Sequence, residues 1–147
     1  MRWMMHRLLQ LSWQDRLLLL ETLFWLILAS LAISILPFRQ LGRLASFRGP
    51  SQRRRWLDNC QIRWAVIACA NRMPWRAVCF QKGLAAHFML RTRGIPSVLY
   101  LGAALDEQRG LSAHVWVRAD DVDVIGGEIA SRYAVLATFP PENYEKA

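Results

Sequence analysis

A cysteine and a histidine stand where together they could form an activated nucleophile. Cys79 begins an apolar helical pattern, and His114 follows 35 residues later in an apolar run, residues 113–117, that predicts a strand. The macrodipole at a helix N-terminus favours the thiolate over the thiol, and an imidazole on a neighbouring strand can take the thiol proton. The pair therefore predicts a cysteine-based acyl-transfer site.

The orientation of the predicted strand decides whether the two side chains can meet. Side chains alternate along a strand, so His114 shares its face with Trp116. If that face turns toward the Cys79 helix, the imidazole can reach the sulfur; if it does not, the histidine simply packs beside Trp116. His87 lies eight positions after Cys79, about 12 Å along the same helix. We therefore expect His87 to be a packed or surface residue.

The remaining cysteines do not suggest a metal site. An odd total of three cysteines, with no CxxC spacing, argues against a disulfide framework and for a reducing compartment such as the cytoplasm. Zinc needs four closely spaced ligands, which His87 and His114 do not supply. We expect Cys60 and Cys69 to be small core residues, and we expect neither a metal nor another cofactor.

Helices that position Cys79 are predicted from the residues that start and stop them. Ser12 with Asp15 predicts a capping box at the start of a helix over residues 12–35, which Pro37 ends. A basic connector with a short helical piece follows over residues 38–55. A second helix is expected over residues 56–71 and a third from about residue 76 to Gly94. The second helix is predicted to have one apolar face formed by Trp56, Cys60, Trp64 and Ile67.

The pattern changes from helical to alternating after Pro96. Residues 97–105, 111–119 and 122–126 predict a three-stranded, or slightly larger, antiparallel sheet, with a tight turn at Asp120-Asp121. Helices followed by strands indicate the α+β class. We divide the chain into residues 1–55, the hydrophobic helix and basic connector, and residues 56–147, the catalytic core, within one structural unit.

The first helix raises the question of a membrane. Residues 22–37 carry no charge, but these 16 positions fall short of the roughly 20 that a spanning helix needs. Arginines lie on both sides of the segment, so the positive-inside rule gives no orientation. Two interpretations stay open: the segment is buried or docks a partner, which its length favours, or residues 17–37 hold the protein at the inner membrane from the cytoplasmic side.

Charge is distributed unevenly along the chain. Residues 1–100 hold 15 Lys and Arg against three Asp and Glu, whereas residues 101–147 hold four against eight. A basic body can attract nucleic acid, anionic lipid or an acidic peptide, or can simply keep the surface solvated. The densest cluster, Arg53-Arg54-Arg55, has no nucleic-acid recognition signature beside it, so we expect no nucleic-acid partner.

A family resemblance rests on the residues around the two candidate catalytic positions. From Cys79 the sequence reads CFQKGLAAHFMLRTRGIPSVLYLG, and AHVWV follows on the next predicted strand. These segments resemble the transglutaminase-like cysteine protease superfamily, and more closely the stand-alone leader peptidases of lasso-peptide biosynthesis, known as protein B. The upstream segment LSWQDRLLLLETLFWLILASLAISILPFRQLGRL resembles their N-terminal helix, so the likeness covers nearly the whole chain.

The resemblance implies a reaction and a set of partners. Cys79 would be the nucleophile, His114 the general base and acid, and the Cys79 backbone N–H an oxyanion donor, with Gln61 as a second candidate donor. The substrate would be a precursor peptide, gripped by a RiPP recognition element protein and passed to an asparagine-synthetase-like cyclase. A catalytically idle, membrane-docked scaffold of the same fold and a transglutaminase-like acyltransferase remain as alternatives.

The chain departs from this family at the third catalytic position. The family normally carries an Asp about twelve residues after the His, and here that residue is Gly126. A two-residue turn at Asp120-Asp121 would set the register as Arg118–Asp123, Trp116–Ile125 and His114–Gly127. Glu128 is then the nearest acid to His114, and its longer side chain can orient the imidazole. Alternatively, a backbone carbonyl orients the ring and leaves a Cys–His dyad.

Overall fold

The computed structural model describes residues 12–50, 59–108 and 110–141. Four α-helices precede four strands in these ranges, which confirms the α+β class. In chain order the elements are α1 (Trp13–Ile35), α2 (Phe38–Ala45), α3 (Asn59–Ala70), α4 (Cys79–Thr92), β1 (Ser97–Asp106), β2 (Gly110–Ala119), β3 (Val122–Ile125), a 3₁₀ helix (Gly127–Arg132) and β4 (Ala134–Phe139).

The strands form one antiparallel sheet in the order β3-β2-β1-β4. The predicted meander accounts for β1, β2 and β3, and β4 adds a fourth strand on the far side of β1. The first three residues of β4 are exposed and none of the six is buried. An edge strand of this kind shows little of the alternation that sequence patterns detect.

The first helix begins and ends where its sequence predicts. The Asp15 N–H donates to Ser12 Oγ at 3.2 Å, and the Ser12 N–H donates to the Asp15 carboxylate at 3.3 Å, which completes the capping box. The helix ends at Ile35, two residues before Pro37. The short α2 corresponds to the helical piece predicted in the connector. Arg53-Arg54-Arg55 lies outside the described residues.

The predicted apolar face of the second helix is wrong. Cys60, Trp64 and Ile67 lie on the exposed side of α3, with Trp64 43% exposed. The buried residues of this helix are instead Ile62, Ala65, Val66 and Ala70. Both stripes are apolar, and the small alanines allow the closer approach to neighbouring helices, so periodicity could not distinguish the faces. Trp56 lies outside the described residues.

The core lies between the helices and one face of the sheet. Gly83 of α4 faces β2 so closely that a Cβ there would come within 2.7 Å of Val115 Cγ1 and 3.7 Å of Val117 Cγ2. Glycine therefore lets the Cys79 helix pack directly on β2. The buried cluster around this contact takes side chains from α1, α2, α3, α4, β1, β2 and β3.

His87 is a packed residue, in agreement with one of its two expected roles. It is 0% exposed, and its Nε2 lies 2.6 Å from the Ala45 carbonyl oxygen while its Nδ1 lies 2.9 Å from Ser97 Oγ. A carbonyl only accepts, so the ring proton is on Nε2 and Nδ1 accepts from the serine hydroxyl. Burial, and to a lesser extent the Arg91 charge, lowers the pKa of His87 to about 4.

Candidate active site

Cys79 is the first residue of α4, three residues later than the predicted helix start. Val78 precedes it in extended conformation (φ −74°, ψ 166°), and the Val78 N–H donates to Gln81 Oε1 at 2.9 Å. The thiol is partly buried and packs against the core cluster. The first N–H groups of a helix have no intrahelical acceptor, so the Cys79 N–H is placed to serve as a donor to a bound oxyanion.

His114 is fixed in the middle of β2 by a main-chain oxygen. Its Nε2 lies 2.7 Å from the Gly126 carbonyl oxygen, and the residue is 9% exposed. Because the carbonyl accepts, the proton of the neutral ring sits on Nε2 and Nδ1 keeps its lone pair. The ring stacks on Trp116 at 6.1 Å and contacts the Tyr133 ring at 5.1 Å, measured between centroids. The imidazole is therefore held in the tautomer that a general base needs.

The face of β2 that meets the Cys79 helix is the one with Val115 and Val117. His114 alternates with these residues and lies on the opposite face, beside Trp116. The expected condition, in which the His114 face turns toward the helix, is thus not met. However, the pairing of β2 with β3 stops at Val117, so beside His114 this side of β2 has no strand partner in β3.

A shift of register explains the role of Gly126. Arg118 pairs with Asp123 as predicted, but Ile125 pairs with Val117 instead of Trp116 because the ladder is irregular at that point. The chain then leaves the sheet at Gly126, whose φ of +76° lies in the left-handed region. A Cβ on this residue would come within 2.5 Å of the Val115 carbonyl oxygen. Where the resembling peptidases carry an aspartate, this chain has a glycine whose carbonyl takes the imidazole N–H.

Glu128 lies on the 3₁₀ helix, with its side chain directed to Arg63 of α3. The two side chains form an ion pair, and the same guanidinium donates to the Val124 carbonyl oxygen at 3.1 Å. The Glu128 backbone N–H, followed by Arg63, lowers the pKa of the Glu128 carboxyl, and His114 makes the smallest contribution. The Glu128 carboxylate is therefore held by Arg63, whereas His114 bonds to the Gly126 carbonyl.

Cys60, Cys69 and Gln61 differ in how far they are exposed. Cys60 is exposed, so the expectation that it is a core residue is wrong. Cys69 is partly buried, its Sγ lies 3.5 Å from the Leu19 carbonyl oxygen, and burial raises its pKa. Gln61 is exposed in the first turn of α3. Within residues 12–50, 59–108 and 110–141, no group of three or more His, Cys, Asp or Glu side chains could hold a metal ion.

Two side chains that contact Glu128 and His114 were not predicted from the sequence. Arg63 holds Glu128 from a helix that lies 65 positions earlier in the chain, and Tyr133 covers the imidazole from the segment between the 3₁₀ helix and β4. No local motif marks either residue. Gly126, in contrast, lies at the sequence position where the resembling family carries its acid, although no pattern singles out its carbonyl among the nearby main-chain acceptors.

Comparison with known proteins supplies a family match. The profile of a family described as "Transglutaminase-like superfamily" matches residues 23–138, which include Cys79, His114, strands β1 to β3 and all but the last residue of β4. No curated protein and no solved structure matches the chain.

Proposed function

This chain belongs to the transglutaminase-like superfamily, and we propose that it is a cysteine peptidase acting on a ribosomally made lasso-peptide precursor. It removes the leader and frees the N-terminus of the core peptide. The observation that carries the proposal is the 2.7 Å contact of His114 Nε2 with the Gly126 carbonyl oxygen. With its proton on Nε2, the ring keeps Nδ1 as a base. Helix α4, which packs on the same strand, begins with Cys79.

The proposed reaction uses two side chains and one main-chain donor. His114 Nδ1 takes the proton of the Cys79 thiol, and the sulfur attacks the carbonyl carbon of the amide that joins leader to core. The Cys79 N–H donates to the oxyanion of the tetrahedral intermediate. As the C–N bond breaks, His114 returns its proton to the departing amine. Water then hydrolyses the thioester, which releases the leader carboxylate and restores the thiol.

The Gly126 carbonyl takes the orienting role that an aspartate has in a triad. It selects the correct tautomer, but it lacks the full negative charge that stabilises an imidazolium. We therefore infer a Cys–His dyad with a main-chain orienting group.

The assignment to lasso peptides rests on the motifs that resemble protein B. RGIP ends the Cys79 helix, and the His-x-Trp-Val motif lies on the second strand, in the order found in those peptidases. By this resemblance the partners are the precursor peptide, a RiPP recognition element protein and an asparagine-synthetase-like cyclase. The reaction takes place in the cytoplasm and uses no metal or nucleotide.

Cleavage of a precursor by cysteine variants tests the proposal. Cys79→Ala should abolish leader removal because the nucleophile is lost, while Cys60→Ala and Cys69→Ala should retain it. The assay follows the leader and core masses over time, and circular dichroism verifies that each variant is folded. Undiminished processing by the Cys79→Ala protein would disprove a cysteine mechanism at this residue.

A second candidate function is a catalytically idle scaffold that presents the precursor to other enzymes. Two observations favour it: Gly126 replaces the usual acid, and His114 lies on the sheet face opposite Val115. A scaffold would leave the precursor intact even with all partners present, and Cys79→Ala would then have no effect on maturation. An acyltransferase, in contrast, would join the leader acyl group to an added amine such as hydroxylamine in preference to water.

A further inference from the structure

One side of α1 presents a continuous apolar stripe to the outside of the molecule. The stripe recurs every three or four residues, which places its members on one helix face. They are Trp13 (71% exposed), Leu17 (50%), Leu20 (64%), Phe24 (58%), Leu28 (41%), Leu31 (52%) and Ile35 (74%). We call this the outer stripe, and along a helix of 23 residues it extends for about 34 Å.

The opposite side of α1 belongs to the protein core. Leu18, Thr22, Leu26 and Ala29 are buried there. By length and composition the helix could cross a membrane, yet only 22% of its most apolar window is buried. It is therefore not an ordinary core helix, and because one side packs against the domain, lipid cannot surround it. A helix in this position can lie in the plane of a membrane interface with its outer side in lipid.

The polar groups of α1 are suited to an apolar surrounding. The hydroxyls of Ser30 and Ser34 donate to main-chain carbonyl oxygens one turn earlier, each at 2.8 Å, as Thr22 does at 2.7 Å. Glu21 accepts from Arg93 at 2.8 Å, which neutralises the acid nearest to the stripe. An unpaired polar group costs several kcal/mol in lipid, so internal pairing removes the main barrier to contact with acyl chains.

Basic residues flank the outer stripe at both ends. The segment after α1, residues 36–55, contains six arginines and no acid, and Arg39, Arg43 and Arg48 are exposed. Before the helix, residues 1–12 add two arginines and no acid. Trp13 lies at the start of the stripe, and tryptophan is enriched at membrane interfaces. This charge pattern complements anionic headgroups, whereas an apolar protein groove does not require it.

We propose that α1 docks the protein peripherally on an anionic lipid surface, with the outer stripe in the headgroup–acyl boundary and the flanking arginines on the headgroups. This docking is independent of the peptidase chemistry, since it uses the side of α1 that faces away from the core. It holds the enzyme at a membrane without crossing it.

Vesicle flotation of the full chain tests the docking. The protein is mixed with vesicles of phosphatidylcholine alone, or with 30 mol% (about one lipid in three) phosphatidylglycerol, at low and high salt. We expect flotation with the anionic vesicles and a reduction of about tenfold in bound protein with neutral vesicles or at high salt. The double variant Phe24→Ser/Leu31→Ser should lose binding, and Arg39→Gln/Arg43→Gln should weaken it on anionic vesicles only.

The hairpin of β1 and β2 offers a matched control. Leu105 and Leu111 are 82% and 78% exposed, so Leu105→Ser/Leu111→Ser removes a similar amount of exposed apolar surface away from α1. This variant should float like the wild type. The proposal is overturned if folded wild type stays unbound with anionic vesicles, if the α1 variant binds as well as wild type, or if size exclusion shows that a second copy or another protein covers the stripe instead.

Discussion

At the residue scale, His114 obtains its orientation from a peptide group and not from a side chain. The Gly126 carbonyl stands at the position where the resembling peptidases carry an aspartate, and it accepts from His114 Nε2. Only glycine fits here, because the left-handed φ and the 2.5 Å approach of a Cβ to the Val115 oxygen exclude other residues. The lack of an acid at position 126 and the left-handed backbone there thus both follow from the same glycine.

Glu128→Gln provides a test of the main-chain orienting group. The Glu128 carboxylate is held by Arg63, so its removal should lower the rate of leader cleavage by less than about tenfold, far below the effect of a lost triad acid. The measurement is the initial rate of precursor cleavage at pH 7, with Asp123→Asn as the control for loss of one nearby charge. A drop of two orders of magnitude or more would make Glu128 the catalytic acid and contradict the dyad.

The buried imidazole of His87 should make the free energy of unfolding depend on pH. In the folded protein its pKa is about 4, below the value of about 6.5 for the unfolded chain. The unfolded state therefore binds more protons between these values, and stability falls as the pH drops from about 6.5 to 4, by about 3 kcal/mol in all. Urea unfolding of the wild type and His87→Gln at several pH values measures this slope. The free energy of unfolding of His87→Gln should depend less steeply on pH in this range. Equal pH dependence of the two proteins would show that His87 does not have a lowered pKa in the folded state.

At the element scale, the packing of α4 on β2 depends on the missing side chain at Gly83. Gly83→Val should overpack the contact with Val115 and lower the free energy of unfolding by about 1–3 kcal/mol. Adding Val115→Ala should recover part of that loss, because it opens the space that the new side chain needs. Urea denaturation of the single and double variants provides the comparison. A fully stable Gly83→Val protein would mean that the helix can shift freely on the strand.

The elements also show what the sequence could predict. The capping box, Pro37 and the Asp120-Asp121 turn act through local contacts. The predictions of α1 and of the β2–β3 turn, which depend on them, are confirmed. The buried face of α3 and the edge strand β4 depend on contacts between distant segments, which local patterns do not contain. The same division holds for the site: Cys79 and His114 lie on the predicted elements, but the sheet face of His114 follows from the packing of α4 on β2, and its partner Gly126 follows from the register shift.

At the scale of the whole molecule, one core joins the N-terminal helices to the sheet. The candidate site uses α4, β2 and the segment after β3, and the outer stripe of α1 lies on a side directed away from that core. Chemistry and docking are therefore assigned to different surfaces, and variants on one surface should leave the function of the other intact.

Recognition of the leader is expected to come from a separate protein. By the resemblance to protein B, a RiPP recognition element protein grips the leader and brings it to the peptidase. We predict weak cleavage by this chain alone and stimulation of about tenfold or more when that partner is added, because bound substrate is held at a high effective concentration. A time course with and without the partner, at equal enzyme concentration, measures this. Rapid, leader-specific cleavage by the isolated chain would place recognition within these 147 residues.

Acylation of Cys79 by the leader is the central step of the proposed mechanism. The most direct measurement is an acid quench of wild-type enzyme with precursor, followed by intact-mass analysis and peptide mapping. We expect a thioester adduct on Cys79 with the mass of the leader less one water. We expect no adduct in Cys79→Ala or His114→Ala. An adduct on Cys60 or Cys69, or full cleavage by either variant, would contradict it.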